Sequence, residues 1–173
     1  IVNGATRGFE RLLVNFSVKQ QASVAVVRTM THLDAFREAD NFVLLHISDS
    51  HPCASDIALP ANMRAKFPPE AFRPVEGVAS VFLQPSPVMR EANRWKVRVL
   101  DREMGILFDY LEENYAPEDY VVHLYSDHGV SVYDDDWLLA DTHVGASLMA
   151  RGAGVPQLGQ VEELASSLDL YKI

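Results

Sequence analysis

One cysteine, Cys53, stands among 173 residues, so neither an internal disulfide framework nor a thiolate-cluster metal site can form. Metal chemistry here must draw on carboxylates and imidazoles. Basic charge is scarce as well: 15 Lys and Arg face 24 Asp and Glu, a formal net charge of −9. A phosphate-binding surface needs clustered Lys and Arg, which argues against nucleic acid and against an anionic membrane surface as partner. Long apolar runs are missing too. The longest, Val24 to Val27 and Phe42 to Ile47, fall far short of the roughly 20 residues that cross a bilayer, so no membrane span is predicted. No basic stretch leads into an apolar one as a secretory signal would require. The chain opens on Ile1 without an initiator Met and is expected to be a processed product, an internal piece or an engineered chain.

What is present suits one compact domain over residues 1–173. A 48% hydrophobic content is enough to bury a core without staples. Met30, Leu33, Phe36 and Arg37 recur at helical spacing and predict a helix from Thr29 to Ala39, which Asp40-Asn41 ends before "FVLLHI", a predicted buried strand. Seven of the nine prolines fall between Pro52 and Pro87, predicting a long irregular excursion, with at most a short strand at "ASVFL". Ser86-Pro87 reads as an N-cap and first helical residue. Trp95, Val99, Leu100, Met104, Leu107, Phe108 and Leu111 then line one stripe of a helix running to about Tyr115.

Beyond Pro117, "YVVHLY" predicts a strand buried on both faces, the habit of a parallel central sheet. "ASLMA" predicts a second short strand, "RGAGVP" a turn, and Val161 to Leu170 a final helix. Strand and helix alternate, which predicts an α/β fold: a layered αβα domain with a mostly parallel central sheet and a ligand site beyond the carboxyl ends of its strands. "DSH" at 49–51 and "SDHG" at 126–129 both fall at such ends.

Asp127 and His128 can turn toward one cation if the backbone bends sharply after them, and Gly129 supplies that freedom. A carboxylate and a neutral imidazole suit a divalent ion, Ca²⁺, Mg²⁺, Mn²⁺ or Zn²⁺, without choosing among them. The plainer alternative is that Asp127 caps a turn and His128 is an ordinary loop residue. His51, ahead of Pro52, reads by itself as a turn residue. His46 and His123, inside apolar runs, and His32, on a helix, read as packing or surface residues. Asp134, Asp135 and Asp136 read as a solvated acidic turn, and Cys53 as an ordinary thiol.

"VVHLYSDHG", preceded by "VRVLDREMGILFDYLEENYAPEDY", resembles the C-terminal part of the sulfatases of the alkaline phosphatase superfamily. "NFVLLHISDSHP" resembles the strand that ends in their His-x-Pro loop. "ASLMARGAGVP" resembles their strand and Arg-Gly-x-Gly turn, and "VEELASSLDLYKI" the helix after it. These four landmarks keep their order from about Met30 to the end. The resemblance implies an alkaline-phosphatase-like fold incomplete at its N-terminus. It makes Asp127 and His128 two ligands of the active-site cation, one divalent ion with Ca²⁺ first, and His51 the imidazole on the ester. Asp101 and Gly105 would be structural, the glycine allowing close approach to the sheet and the aspartate holding a buried hydrogen bond.

Two departures qualify the function. Sulfatases follow the metal pair with a lysine on the ester and then a glutamate, whereas "VSVYDDDWLLADTHV" has no lysine. Asp141 is the candidate for the glutamate's place and His143 for the ammonium's, and a later histidine is similar to that of the superfamily's phosphatases and phosphotransferases. The nucleophile is absent: Cys53 lacks Pro at plus two and Arg at plus four, where Ser55 and Ile57 stand. The expectation is therefore a metal-dependent sulfuric ester hydrolase acting on a small-molecule or glycan sulfate, inactive as this chain alone. The alternatives are a phosphodiesterase, phosphomutase or phosphoethanolamine transferase relative, or a non-catalytic scaffold of the same fold. A sheet lacking strands would expose an edge and self-pair into a homodimer.

Overall fold

The computed structural model describes residues 22–47, 49–50, 87–129, 145–163 and 165–166. Within them run two helices, α1 (Ala22–Ala35) and α2 (Pro87–Asn114), and two strands, β1 (Val121–Tyr125) and β2 (Leu148–Gly152). No helix among the described residues is long and apolar enough to cross a membrane.

In α1, Ala22, Ala25, Val26 and Thr29 are buried, the i, i+3, i+4, i+7 spacing of one helix face. Val24, Val26 and Val27 are mediocre helix formers, so burial of that face, more than propensity, holds the element. Its N-terminus is satisfied from afar: Asp49 Oδ2 accepts from Ala22 N at 2.9 Å, and Asp49 is itself buried. A carboxylate there meets the positive end of the helix dipole. The predicted helix Thr29 to Ala39 is therefore corrected at both ends. It starts at Ala22, and Asn41 turns the chain by donating through Nδ2 to Phe36 O and Ala39 O at 2.9 and 2.7 Å.

Helix α2 begins on Pro87 as predicted, where the missing N–H would find no helical partner anyway. Met104, Leu107 and Leu111 are buried and form the core with Val26. Met30, Leu33, Leu100, Phe108, Val122 and Leu124 pack around them. Two expectations for α2 fail. Asp101 is exposed and so holds no buried hydrogen bond, and a Cβ built on Gly105 meets nothing within 4 Å among the described residues outside its own helix backbone, so the glycine serves no close approach to the sheet.

A polar clamp closes the helix pair at its C-terminal ends. Tyr110 Oη donates to Asp34 Oδ1 at 2.7 Å, and Arg37 Nη2 reaches both Asp34 Oδ1 at 3.2 Å and Asn114 Oδ1 at 2.7 Å. The same guanidinium lies over the Tyr115 ring, 5.9 Å from its centroid, and Tyr115 Oη donates to Leu33 O at 3.4 Å.

The layered αβα domain with a mostly parallel sheet is not what forms. Strands β1 and β2 make a two-stranded antiparallel sheet, with Val121 opposite Gly152 and Tyr125 opposite Leu148. The physical reason lies in "VVHLY", which is nowhere fully buried: its three middle residues are half-buried and its two end residues exposed. Val122 and Leu124 turn to the helices, while Val121 and Tyr125 share the outer face with Leu148 and are 47, 48 and 39% exposed. A strand left partly open to solvent in this way suits an antiparallel pair, whereas parallel strands are covered on both faces.

"FVLLHI" is not a strand either. Leu45 and Ile47 pack against the core, but Phe42 and Leu44 are exposed and no ladder joins 42–47 to another segment among the described residues. An apolar run becomes a strand only where a neighbouring backbone completes its hydrogen bonds. Of the predicted helix Val161 to Leu170, residues 161–163 and 165–166 are not helical and Val161 is exposed, so that no buried face holds a helix there; the rest lies outside the described residues. "RGAGVP" does turn, through Gly152 and Gly154 at φ 117° and 72°. The predicted excursion from Pro52, the strand at "ASVFL" and the cap at Ser86 lie outside the described residues.

Candidate functional site

Strand β1 stops at Tyr125, and Ser126 latches its end to β2. Ser126 N donates to Ser147 O at 3.0 Å, and Ser147 N returns a bond to Ser126 Oγ at 2.9 Å. Asp127 and His128 follow at once, at the strand end where the sequence placed them. Their side chains are 86 and 63% exposed.

The two side chains converge. His128 N donates to Asp127 Oδ1 at 3.0 Å, which holds the carboxylate against the backbone of the next residue. His128 Nδ1 lies 2.6 Å from Gly129 O. A carbonyl oxygen only accepts, so Nδ1 carries the hydrogen in that bond, and in the neutral ring Nε2 keeps its lone pair. Nε2 sits 3.6 Å from Asp127 Oδ2. Donors that share one divalent ion at bond lengths of about 2.1–2.4 Å lie roughly 3.4 Å apart. Oδ2 and Nε2 thus stand at the spacing of two ligands of a common cation, and the Nδ1 contact supplies the orienting hydrogen bond that metal-bound histidines use. In the charged ring the same geometry is an exposed ion pair, worth little in stability.

The donor set is partial. No group of three or more His, Cys, Asp or Glu able to hold a metal occurs among the described residues. His51 and His143 lie outside them, as do Cys53, Asp134, Asp135, Asp136 and Asp141. Next to His51, Asp49 spends its carboxylate on the amide of Ala22, so the first residue of "DSH" serves α1.

Among the remaining histidines, His46 is exposed and His32 packs its ring on Phe36 with centroids 4.8 Å apart. Both fit the packing and surface roles read from sequence. His123 lies on β1, with both ring nitrogens buried and lacking a hydrogen-bond partner among the described residues. The sequence left two contributors unmarked. Gly129 was read for its backbone freedom, yet its carbonyl sets the imidazole. Ser126 belongs to "SDHG" but holds the strand end, and no local pattern signals a partner at Ser147.

No protein-family model matches this chain, and no curated protein or solved structure matches it.

Proposed function

We propose that this chain supplies two ligands of a divalent cation, Asp127 and His128, to the metal-assisted hydrolysis of a sulfate ester on a small molecule or glycan. The observation that carries it is the 3.6 Å approach of Asp127 Oδ2 to His128 Nε2, with Nδ1 already committed to Gly129 O. The sulfatase-like order of "NFVLLHISDSHP", "VVHLYSDHG" and "ASLMARGAGVP" gives the ester its class. When bound, the cation would draw charge from the ester oxygens as the leaving group departs. Asp127 and His128 hold and orient it, and His51 and His143 are the imidazoles proposed to contact the ester. The resemblance puts Ca²⁺ first, with Mn²⁺ and Zn²⁺ favoured by the imidazole nitrogen and Mg²⁺ as a further choice.

Calorimetric titration of the chain with Ca²⁺, Mg²⁺, Mn²⁺ and Zn²⁺ tests the metal half. One ion is expected to bind with a stoichiometry of one, and Asp127→Ala and His128→Ala to abolish that binding. The metal-loaded chain is then titrated with 4-nitrophenyl sulfate and 4-nitrophenyl phosphate, and the sulfate is expected to bind more tightly. Absence of binding by every ion, or binding indifferent to both substitutions, overturns the site. Preference for phosphate transfers the function to the phosphoryl-transfer alternative.

A further inference from the structure

A concavity lies at the end of β1 away from Asp127 and His128. It is a cleft of about 710 Å³ between the end of α2, the start of β1 and the segment after β2. Its size is that of an ordinary small-ligand site. Tyr115, Tyr120, Pro156 and Leu158 give it apolar walls, and Glu112 and Arg151 place a charged pair among them. The length of β1, five residues and about 17 Å at the usual rise, separates it from Asp127 and His128.

The cleft is held from several sides. Arg151 Nη2 donates to Glu112 Oε1, and its guanidinium carbon lies over Phe108, 5.1 Å from the ring centroid, within cation–π range. Tyr115 is anchored through its hydroxyl to Leu33 O. Gly152 packs so closely on Tyr120 that an added Cβ would come within 2.2 Å of Tyr120 O, and Ala153 N donates to that same oxygen at 2.7 Å.

We infer that this cleft binds a neutral saccharide unit. The pair offers an acceptor-only carboxylate beside a donor-only guanidinium, both side chains half exposed at 51 and 50%. Adjacent hydroxyls of a sugar ring answer both at once, one donating to Glu112 and its neighbour accepting from Arg151. Tyr115 and Tyr120 line the same cleft and would give the C–H groups of that ring aromatic surface to contact. Charge selects against an anion: Glu112 neutralises Arg151, and the chain as a whole carries −9.

Saturation-transfer NMR and calorimetry on the chain with maltose, cellobiose and lactose test this, with glucose 6-sulfate as the anionic comparison. At least one neutral disaccharide is expected to bind. Glu112→Gln, which keeps the shape and an acceptor oxygen but loses the charge, is expected to weaken it about tenfold, as loss of a charge-assisted bond does. Leu158 is 69% exposed, and Leu158→Arg should block the cleft by bulk and by offering Glu112 a competing guanidinium. Asp127→Ala should leave sugar binding unchanged, so the sugar site and the metal site fail separately. The inference is overturned if no disaccharide binds the folded chain, if both cleft variants bind like the parent, if Asp127→Ala abolishes binding, or if the sulfated sugar binds about tenfold better than the neutral ones.

Discussion

Tyr110 donates its phenolic hydrogen to Asp34 Oδ1 at 2.7 Å, tying α2 to α1 between residues 76 positions apart. Burial first, and then this bond, push Tyr110 up to about 12 from the usual 10.0. An acid raised in the folded state holds its proton more tightly there than in the unfolded chain. Its contribution is whole below about pH 10 and is lost as the pH climbs toward about 12. Tyr110→Phe is expected to cost about 1 kcal/mol near neutrality, and the gap to the parent should close across that alkaline window. Urea unfolding of both proteins at several pH values measures it; a gap unchanged by pH would refute the coupling.

Gly105→Ala should stabilise the chain. The position is interior to α2, and a methyl group there meets no atom within 4 Å among the described residues outside its own helix backbone. Removing glycine's extra freedom from the unfolded state is worth about 0.5–1 kcal/mol in a helix, read as a higher urea midpoint with unchanged slope. A lower midpoint would mean that a neighbour does approach this face.

Gly152→Ala should do the opposite. Its φ of 117° disfavours any side chain, and the new Cβ would collide with Tyr120 O. A cost of about 1–3 kcal/mol for the backbone alone sets the floor, with the Val121–Gly152 end of the ladder the first to open. Hydrogen exchange at the amide of Ala153, which bonds Tyr120 O, reports it directly: faster exchange is expected.

Asp49→Ala removes the acceptor at the start of α1 and should cost about 1 kcal/mol, as loss of a helix cap does. Asp49→Asn keeps an acceptor oxygen and should retain most of that stability, losing the part due to the helix dipole, which added salt screens. Melting of the three proteins at low and high salt distinguishes the contributions. Equal loss in both variants would assign the effect to charge alone.

Helix α2 was legible because its signals agree: a proline start, a stripe from Val99 through Leu111 and a proline just past the end. Helix α1 was legible only in its second half, since "SVAVV" carries the β-branched residues of a strand and becomes helical through its contacts. "YVVHLY" and "ASLMA" announced strands but not their direction, and β2 runs on through Arg151 and Gly152, which by sequence belong to the turn. Short runs of this kind serve buried parallel and half-exposed antiparallel sheets alike, and the exposure of Val121 and Tyr125 decided it. The pairing of Asp127 with His128 was readable because neighbours in sequence are neighbours in space. Bonds such as Arg37 to Asn114, 77 positions apart, and Asp49 to Ala22, 27 apart, leave no local pattern to read.

Val121, Tyr125 and Leu148 on the outer side of the sheet bear on how the chain behaves at high concentration. Those three side chains offer a sticky patch, and mutual repulsion among acidic molecules opposes its use. That repulsion fades as the solution approaches the isoelectric point near 5.0. Colloidal stability should therefore reach its minimum in mildly acidic buffer, where light scattering rises and returns to baseline once the pH is restored.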